Sequence, residues 1–202
     1  MKLYENAMAP NPRRVRIFLA EKGIEVPSVQ IDIGKAENRE PAFLEKNPMG
    51  GVPVLELDDG TCVAESVAIC RYFEEAQPEP PLLGTDARDR ALVEMWQRRM
   101  EFEVALPIMQ CFRNTHDFFK GRIEQVAEYG EVCRRSAGKR LAWLDGELAG
   151  REFVAGDRFT IADITALVGI DFGRITKIGI QPDQKHLQRW HEAVSSRPSA
   201  KA

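Results

Sequence analysis

The sequence predicts an α/β domain followed by an all-α domain, and three observations support this prediction. Residues 1–77 mix the alternation typical of strands with the three-to-four spacing typical of helices. Residues 86–202 contain no convincing strand and repeat helical spacing instead. Between them lies a proline-rich stretch, residues 78–85, where we expect an extended linker, because proline lacks the amide hydrogen that a helix needs.

The chain begins with the predicted order β-α-β. Residues 2–4 form a short strand, after which Asn11 is placed to cap a helix with Pro12 at its first position and Gly23 at its end. Residues 29–33 then alternate between apolar and polar, and Val29, Ile31 and Ile33 are expected to point inward, as in a half-buried strand. This order favours two parallel strands joined by a right-handed crossover.

The remaining N-terminal elements complete the first domain. A short helix over residues 41–46 precedes two apolar runs, residues 54–57 and 61–63, which the turn Asp-Asp-Gly joins as a hairpin. A helix over residues 66–75 follows them. Its buried side is expected to carry Val67, Ile69, Cys70 and Phe73. The resulting order β-α-β-α-β-β-α predicts a thioredoxin-like sandwich.

Long helices dominate the predicted second domain, residues 86–202. The first helix starts near residue 86 and should kink or end at Pro107, and the second ends at Gly150. Thr160 and Asp163 have the spacing of a capping box at the start of a further buried helix. The residues expected on buried faces are Leu92, Met95, Trp96 and Met100 in the first helix, and Val126, Tyr129, Cys133, Ala137, Leu141, Leu144 and Leu148 in the second.

The overall composition gives no sign of a nucleic-acid or membrane partner. The formal net charge is -3, so the chain has no general attraction for nucleic acid or anionic lipid. No apolar run approaches the roughly 20 residues that cross a bilayer. The first residues lack the apolar core of a signal peptide. We therefore expect a cytoplasmic protein.

The cysteines and histidines show no metal-binding spacing. The four cysteines form no CxxC pair, and the three histidines form no HExxH motif. We expect ordinary thiols in a reducing compartment and no metal site.

The most informative stretch is residues 47–54, Asn-Pro-Met-Gly-Gly-Val-Pro-Val, which Glu65 and Ser66 follow at the head of an apolar helix. A Val52–Pro53 step just before a short strand predicts a cis peptide bond in a tight turn. The turn leaves the backbone N–H and C=O of Val52 exposed, since Pro53 cannot donate to a ladder. Exposed backbone beside a helix N-terminus suits an extended peptide that carries carboxylates.

These features, in this order, resemble the cytosolic glutathione transferases over nearly the whole chain. The features are the βαβαββα domain, the motif Asn-Pro-x-Gly-x-Val-Pro-x-Leu, the Glu-Ser pair, the proline-rich linker and the late T-x-x-D box. The chain is similar to bacterial-type members, and partly to a group with a Thr-Pro-Asn loop. The resemblance implies glutathione as co-substrate, no metal, a homodimer and a role in detoxification.

The family pattern also implies where glutathione binds. Val52, just before Pro53, should pair its backbone with the cysteinyl part, while Glu65 and Ser66 should hold the γ-glutamyl end. The alternative for this pair is a plain helix cap. Asn38 stands where many relatives contact the glycyl end, or is a solvated loop residue. Gly51 replaces the glutamine or lysine common in similar sequences, which implies weaker binding.

The catalytic group is the main puzzle. The thiolate is the nucleophile, and relatives usually stabilise it with a hydroxyl or thiol after the first strand. Ala9 occupies that position, and residues 5–27 contain no serine, threonine or cysteine. Asn11 is the best substitute, because its amide N–H can donate to sulfur beside a helix N-terminus; the alternative is that it only caps the helix. Tyr4 lies too early in the chain.

The second substrate, a small electrophile or a disulfide, is expected to bind against the helical domain. The candidates by position are Met8, Arg99, Met100 and Glu103, with Phe112 and His116. The apolar ones fit an ordinary core equally well. The leading expectation is conjugation of glutathione to an electrophile. The alternatives are glutathione-dependent reduction of a disulfide or peroxide, and a non-catalytic module that binds glutathione or another ligand.

Overall fold

The computed structural model describes residues 1–202 and divides into two compact units. One unit contains Met1–Leu82 together with Lys201–Ala202, and the other contains Leu83–Ala200. The predicted thioredoxin-like first domain and helical second domain are confirmed. No helix combines the length and the apolar character that spanning a bilayer requires.

The first unit contains a four-stranded sheet with the predicted element order. Its elements are β1 (Lys2–Glu5), α1 (Pro10–Lys22), β2 (Ser28–Gln30), a 3-10 turn (Glu37–Arg39), α2 (Pro41–Leu44), β3 (Val54–Glu56), β4 (Cys62–Ala64) and α3 (Ser66–Ala76). The strand order is β2-β1-β3-β4. β1 runs parallel to β2, whereas β3 pairs antiparallel with both β1 and β4.

Both faces of this sheet carry apolar side chains. α1 and α3 pack against each other and bury Phe18 and Ile69 completely. On the other face, Tyr4, Phe43 and Val54 form a small cluster in which the Tyr4 and Phe43 rings meet edge to face. Successive residues of a strand point to opposite faces, so one short strand such as β1 serves both layers.

Two details of the first unit differ from the predictions. β2 is shorter than residues 29–33, and all three of its residues are exposed, including Val29. It is an edge strand that pairs only with β1, so the inward position expected for Val29 is wrong, whereas Ile31 is partly buried against the cluster of Tyr4, Phe43 and Val54. In α3, Ile69, Cys70 and Phe73 are buried as predicted, whereas Val67 is only half-buried.

The second unit is built from helices, as the sequence predicts. They are α4 (Ala87–Arg99), a π-helical turn (Met100–Ala105), α5 (Leu106–Thr115), a 3-10 turn (Asp117–Phe119), α6 (Ala127–Glu147), a 3-10 turn (Leu148–Gly150), α7 (Ile161–Phe172), a 3-10 turn (Gly173–Thr176), α8 (Lys185–Ser195) and a 3-10 turn (Pro198–Lys201) whose last residue is counted with the first unit. Contacts between α5 and α6, and of α7 with the π-helical turn, hold them together.

The predicted interruption at Pro107 takes the form of the π-helical turn that precedes it. A prolyl ring clashes with the carbonyl four residues earlier, which belongs here to Glu103 inside the wider turn. The predicted faces are partly wrong: Leu92, Met95, Val126 and Tyr129 are exposed. Val93 and Gln97 are buried instead, because the buried stripe of α4 lies one position further along the helix.

The predicted capping box starts α7, whose first ten residues are all buried. Asp163 is fully buried and accepts four hydrogen bonds. One carboxylate oxygen accepts from Thr160 N at 2.9 Å and Thr160 Oγ1 at 3.2 Å. The other accepts from Val154 N at 2.8 Å and Trp190 Nε1 at 2.9 Å. This single side chain therefore joins the loop before α7 to α8.

Candidate active site

The predicted glutathione-contacting residues lie at one end of the four-stranded sheet. β1 ends at Glu5, β3 begins at Val54 and β4 ends at Ala64. Tyr4 pairs with Val54, which pairs in turn with Ala64. The loop to α1, the Val-Pro corner and the start of α3 therefore emerge side by side. Pairing within the sheet brings together segments far apart in sequence.

Asn11 is not a helix cap, which corrects one of the two interpretations of this residue. α1 begins at Pro10 with Ala9 at the capping position, and no side chain caps it. Both Pro10 and Pro12 fit the first turn, where backbone amides have no helical partner. Asn11 is half-buried in that turn, and its Oδ1 accepts a hydrogen bond from Arg14 Nη1 at 3.3 Å.

Ser66 is the first residue of α3 and is bonded to the same arginine. Its Oγ accepts from Arg14 Nη1 at 2.6 Å, and both side chains are buried. One nitrogen therefore links Asn11 to Ser66, 55 positions further along the chain. Sequence reasoning missed this role of Arg14. The available signal was its position one turn before Ile17 and Phe18, on the apolar face of α1.

Glu65 stands at the capping position of α3 without capping it. The Glu65 side chain makes no capping hydrogen bond and Ser66 lies inside the helix, so the plain-cap interpretation of Glu65 and Ser66 is wrong. Glu65 is exposed and has φ of 69°, a conformation that costs a side-chain-bearing residue about 1–3 kcal/mol. Its carboxylate is accessible to a ligand, and the positive end of the α3 dipole lies beside it.

The Val52–Pro53 peptide bond is cis, as predicted, and side-chain amides hold the loop before it. Asn38 Nδ2 donates to Gly50 O at 2.7 Å, and Asn47 Nδ2 donates to Gly51 O at 2.9 Å. Asn38 is therefore not a freely solvated loop residue. One N–H of its amide supports the loop, which leaves the second N–H and Oδ1 as the groups that can contact a ligand.

The two glycines of this loop differ in their steric need. Gly50 has φ of 64°, and a Cβ there would meet Asn38 O at 2.8 Å. At Gly51 the nearest atom, Asn47 Nδ2, lies 3.5 Å away, which is ordinary contact. Nothing steric therefore prevents a side chain at position 51.

The Tyr4 hydroxyl is already hydrogen-bonded within the first unit. It donates to Glu56 Oε2 at 2.9 Å, and Lys46 pairs with the same carboxylate. The hydrogen bond from Lys46, followed by that from Tyr4, lowers the pKa of Glu56 to about 2. Tyr4 is thus held by a stable anion.

The predicted second-substrate residues have unequal surroundings. In the first unit, Met8 is 88% exposed. In the second unit Met100, the first residue of the π-helical turn, is completely buried, so its prediction as a pocket residue is wrong: it continues the buried face of α4 into that turn. The Arg99 guanidinium lies 4.7 Å from the Trp96 ring centre, and Glu103 pairs with Arg140 at 2.7 Å.

Phe112 and His116 belong to a group of half-buried aromatic side chains in the second unit. Their ring centres lie 4.6 Å apart, and Phe172 meets Phe112 edge to face at 5.0 Å. No group of three or more His, Cys, Asp or Glu side chains is placed to hold a metal ion, and all four cysteines are free thiols.

Comparison with known families identifies the chain. A family model described as "Glutathione S-transferase, N-terminal domain" matches residues 1–75, and one described as "Glutathione S-transferase, C-terminal domain" matches residues 105–198. The chain belongs to the glutathione S-transferase family. The predicted family is thereby confirmed, and the assignment makes the chain a glutathione transferase.

Individual glutathione S-transferases match over the full length. Glutathione S-transferase 2 of Saccharomyces cerevisiae is 37% identical over 205 residues, covering 100% of this chain and 88% of that protein. The crystal structure of Gtt2 from Saccharomyces cerevisiae gives a TM-score of 0.95 at 36% identity, covering 100% of this chain and 99% of that one. A glutathione S-transferase domain-containing protein from Marinobacter aquaeolei gives 0.94 at 39% identity, covering 98% and 99%.

Proposed function

We propose that this glutathione transferase stabilises the thiolate of glutathione with the Asn11 amide, for conjugation to a small electrophile. The observation that carries the proposal is the link from Asn11 through Arg14 to Ser66. Asn11 Oδ1 and Ser66 Oγ accept from one nitrogen, so these two atoms lie within two hydrogen-bond lengths of each other. This proximity supports the proposal that one short peptide contacts both side chains.

Each residue of the site has a defined part in this proposal. Val52 offers its backbone to the cysteinyl part at the Pro53 corner. Ser66 donates to the γ-glutamyl carboxylate at the N-terminus of α3, and Glu65 meets the ammonium group. Asn38 supports the corner through Gly50 and offers the second N–H of its amide toward the glycyl carboxylate.

The chemistry requires a thiolate at neutral pH. A free thiol has a pKa near 8.5 and is mostly protonated there. A hydrogen bond from Asn11 Nδ2, together with the positive end of the α1 dipole, favours the anion. The thiol proton passes to solvent, a sulfur lone pair forms the bond to the electrophilic carbon, and the leaving group departs with the electron pair of the bond that breaks.

We also propose a cytoplasmic homodimer that acts in detoxification, without nucleic acid or membrane as a partner. Exposed apolar side chains in the second unit support burial against a second copy. They include Leu92, Met95 and Phe102. The net charge of -3 supports the absence of a nucleic-acid partner.

A substrate panel tests the proposed reaction. The protein is assayed with glutathione and, separately, chlorodinitrobenzene, a glutathione mixed disulfide and an organic hydroperoxide. We expect the highest kcat/KM with chlorodinitrobenzene. Reduction of the mixed disulfide without any conjugation would replace the proposal with a reductase function. If no substrate is turned over, a non-catalytic binding module would be the remaining alternative.

Replacing Ser66 with alanine should weaken glutathione binding by about 10- to 100-fold, since a hydrogen bond to a charged carboxylate is lost. Calorimetric titration of both proteins with glutathione measures the effect. The matched control is Ser28→Ala, which removes a hydroxyl from the exposed strand β2 of the same unit. Equal affinity of Ser66→Ala and the wild type would refute the γ-glutamyl assignment.

A further inference from the structure

Arg14 lies at the centre of the proposed site without facing solvent. It belongs to the second turn of α1 and is only 2% exposed. A buried guanidinium is unfavourable unless neighbouring groups satisfy it. Here Nη1 donates to Ser66 Oγ at 2.6 Å and to Asn11 Oδ1 at 3.3 Å. The two residues that receive these bonds are those proposed to hold the two polar ends of the reacting ligand.

The bond to Asn11 determines which end of its amide is available. A guanidinium donates hydrogen bonds and accepts none, so the amide atom facing Arg14 must be the oxygen. The nitrogen, Nδ2, then becomes the end that can approach a ligand. A thiolate accepts hydrogen bonds, so this orientation matches the sulfur, whereas the opposite orientation would present an oxygen and repel it.

The bond to Ser66 acts on the second contact in the same way. A serine hydroxyl has one proton to donate and can accept hydrogen bonds through its lone pairs. Because Arg14 donates to this oxygen, the serine proton is directed away from the arginine and is available to a carboxylate. A hydroxyl that accepts from a cation is also polarised, which strengthens it as a donor.

We propose that Arg14 is a positioning residue that orients the Asn11 amide toward the glutathione sulfur and the Ser66 proton toward the γ-glutamyl carboxylate. This inference rests on the proposed function and extends it. Arg14 itself touches neither the sulfur nor the electrophile. Its effect on turnover passes through Asn11, and its effect on glutathione affinity passes through Ser66.

Double-mutant cycles separate this role from a general contribution to folding. kcat and the glutathione KM are measured with chlorodinitrobenzene for Arg14→Lys, Asn11→Ala, Ser66→Ala and the two double variants that contain Arg14→Lys. Lysine keeps the charge but replaces the rigid, planar guanidinium, whose Nη1 bonds both acceptors, with a freely rotating ammonium group. Arg16→Lys is the matched control, because Arg16 lies on the same helix and bonds Glu5 and the Ala7 carbonyl instead.

We expect Arg14→Lys to lower kcat and raise the glutathione KM, each by about tenfold. In the Asn11→Ala background, Arg14→Lys should change kcat by less than about twofold. In the Ser66→Ala background, Arg14→Lys should change the glutathione KM by less than about twofold. Arg16→Lys should leave both constants unchanged. Additive effects in both cycles would overturn the inference while leaving the proposed function intact, whereas a wild type without turnover would overturn both.

Folding of each variant is checked by circular dichroism and by its Tm. If Arg14→Lys does not fold, Arg14→Gln takes its place in the cycles, since it retains an amide donor without a buried charge. If neither variant folds, Arg14 is a stability residue and the inference is overturned.

Discussion

Replacing Asn11 with alanine should lower kcat with chlorodinitrobenzene by about 10- to 100-fold and change the glutathione KM by less than about threefold. The lost hydrogen bond is made to the charged sulfur and is worth more as the thiolate forms, so turnover decreases more than binding. Steady-state kinetics over a range of both substrates measures the two constants.

The matched control is Asn11→Asp, which preserves the side-chain shape and the contact with Arg14 but removes the amide donor. It should lose at least as much turnover as Asn11→Ala, because it also places a negative charge beside the sulfur. Wild-type kcat in Asn11→Ala would show that another group stabilises the thiolate.

The same substitution should change the pH dependence in a defined direction. A donor to the thiolate lowers the thiol pKa, so its removal raises that pKa toward the free value of about 8.5. At saturating glutathione, the rising limb of kcat/KM for chlorodinitrobenzene should move to higher pH. The decrease in this constant should be larger at about pH 6.5 than at about pH 8.5. An unshifted limb would contradict a direct contact between Asn11 and sulfur.

Replacing Asp163 with alanine should lower the free energy of unfolding by about 3–5 kcal/mol, because it leaves the N–H groups of Val154, Trp190 and Thr160 buried without an acceptor. Chemical denaturation measures the change. Asp163→Asn should lower the free energy of unfolding by less, since its remaining side-chain oxygen can still accept hydrogen bonds.

The control for this variant is Asp157→Ala, an exposed aspartate in the same unit, which should stay within about 0.5 kcal/mol of the wild type. A loss below about 1 kcal/mol for Asp163→Ala would mean that water or a shifted backbone satisfies these groups.

Elements with strong local signals could be predicted from the sequence. The long helix α6 follows from its three-to-four spacing, and Thr160 and Asp163 mark the start of α7 because a capping box spans only one turn. The exposure of β2 could not be predicted, since it depends on the strand order of the sheet. The buried face of α4 was also ambiguous, because Leu92 and Val93 are adjacent and both apolar.

The site shows the same division between local and distant interactions. The Val52–Pro53 corner and the Glu65–Ser66 pair have recognisable motifs. The link from Arg14 to Ser66 joins residues 52 positions apart, and no local pattern encodes such a contact. The start of α1 was misplaced because Pro10 and Pro12 both suit a first turn, which made Asn11 look like a cap.

A crystal structure with bound glutathione tests the central claim most directly. We predict that the cysteinyl backbone bonds to Val52, that the γ-glutamyl carboxylate lies at Ser66, and that the sulfur lies within hydrogen-bond distance of Asn11 Nδ2. Glutathione bound away from the Val-Pro corner, or a sulfur whose hydrogen-bond donor is a group other than Asn11, would contradict this account.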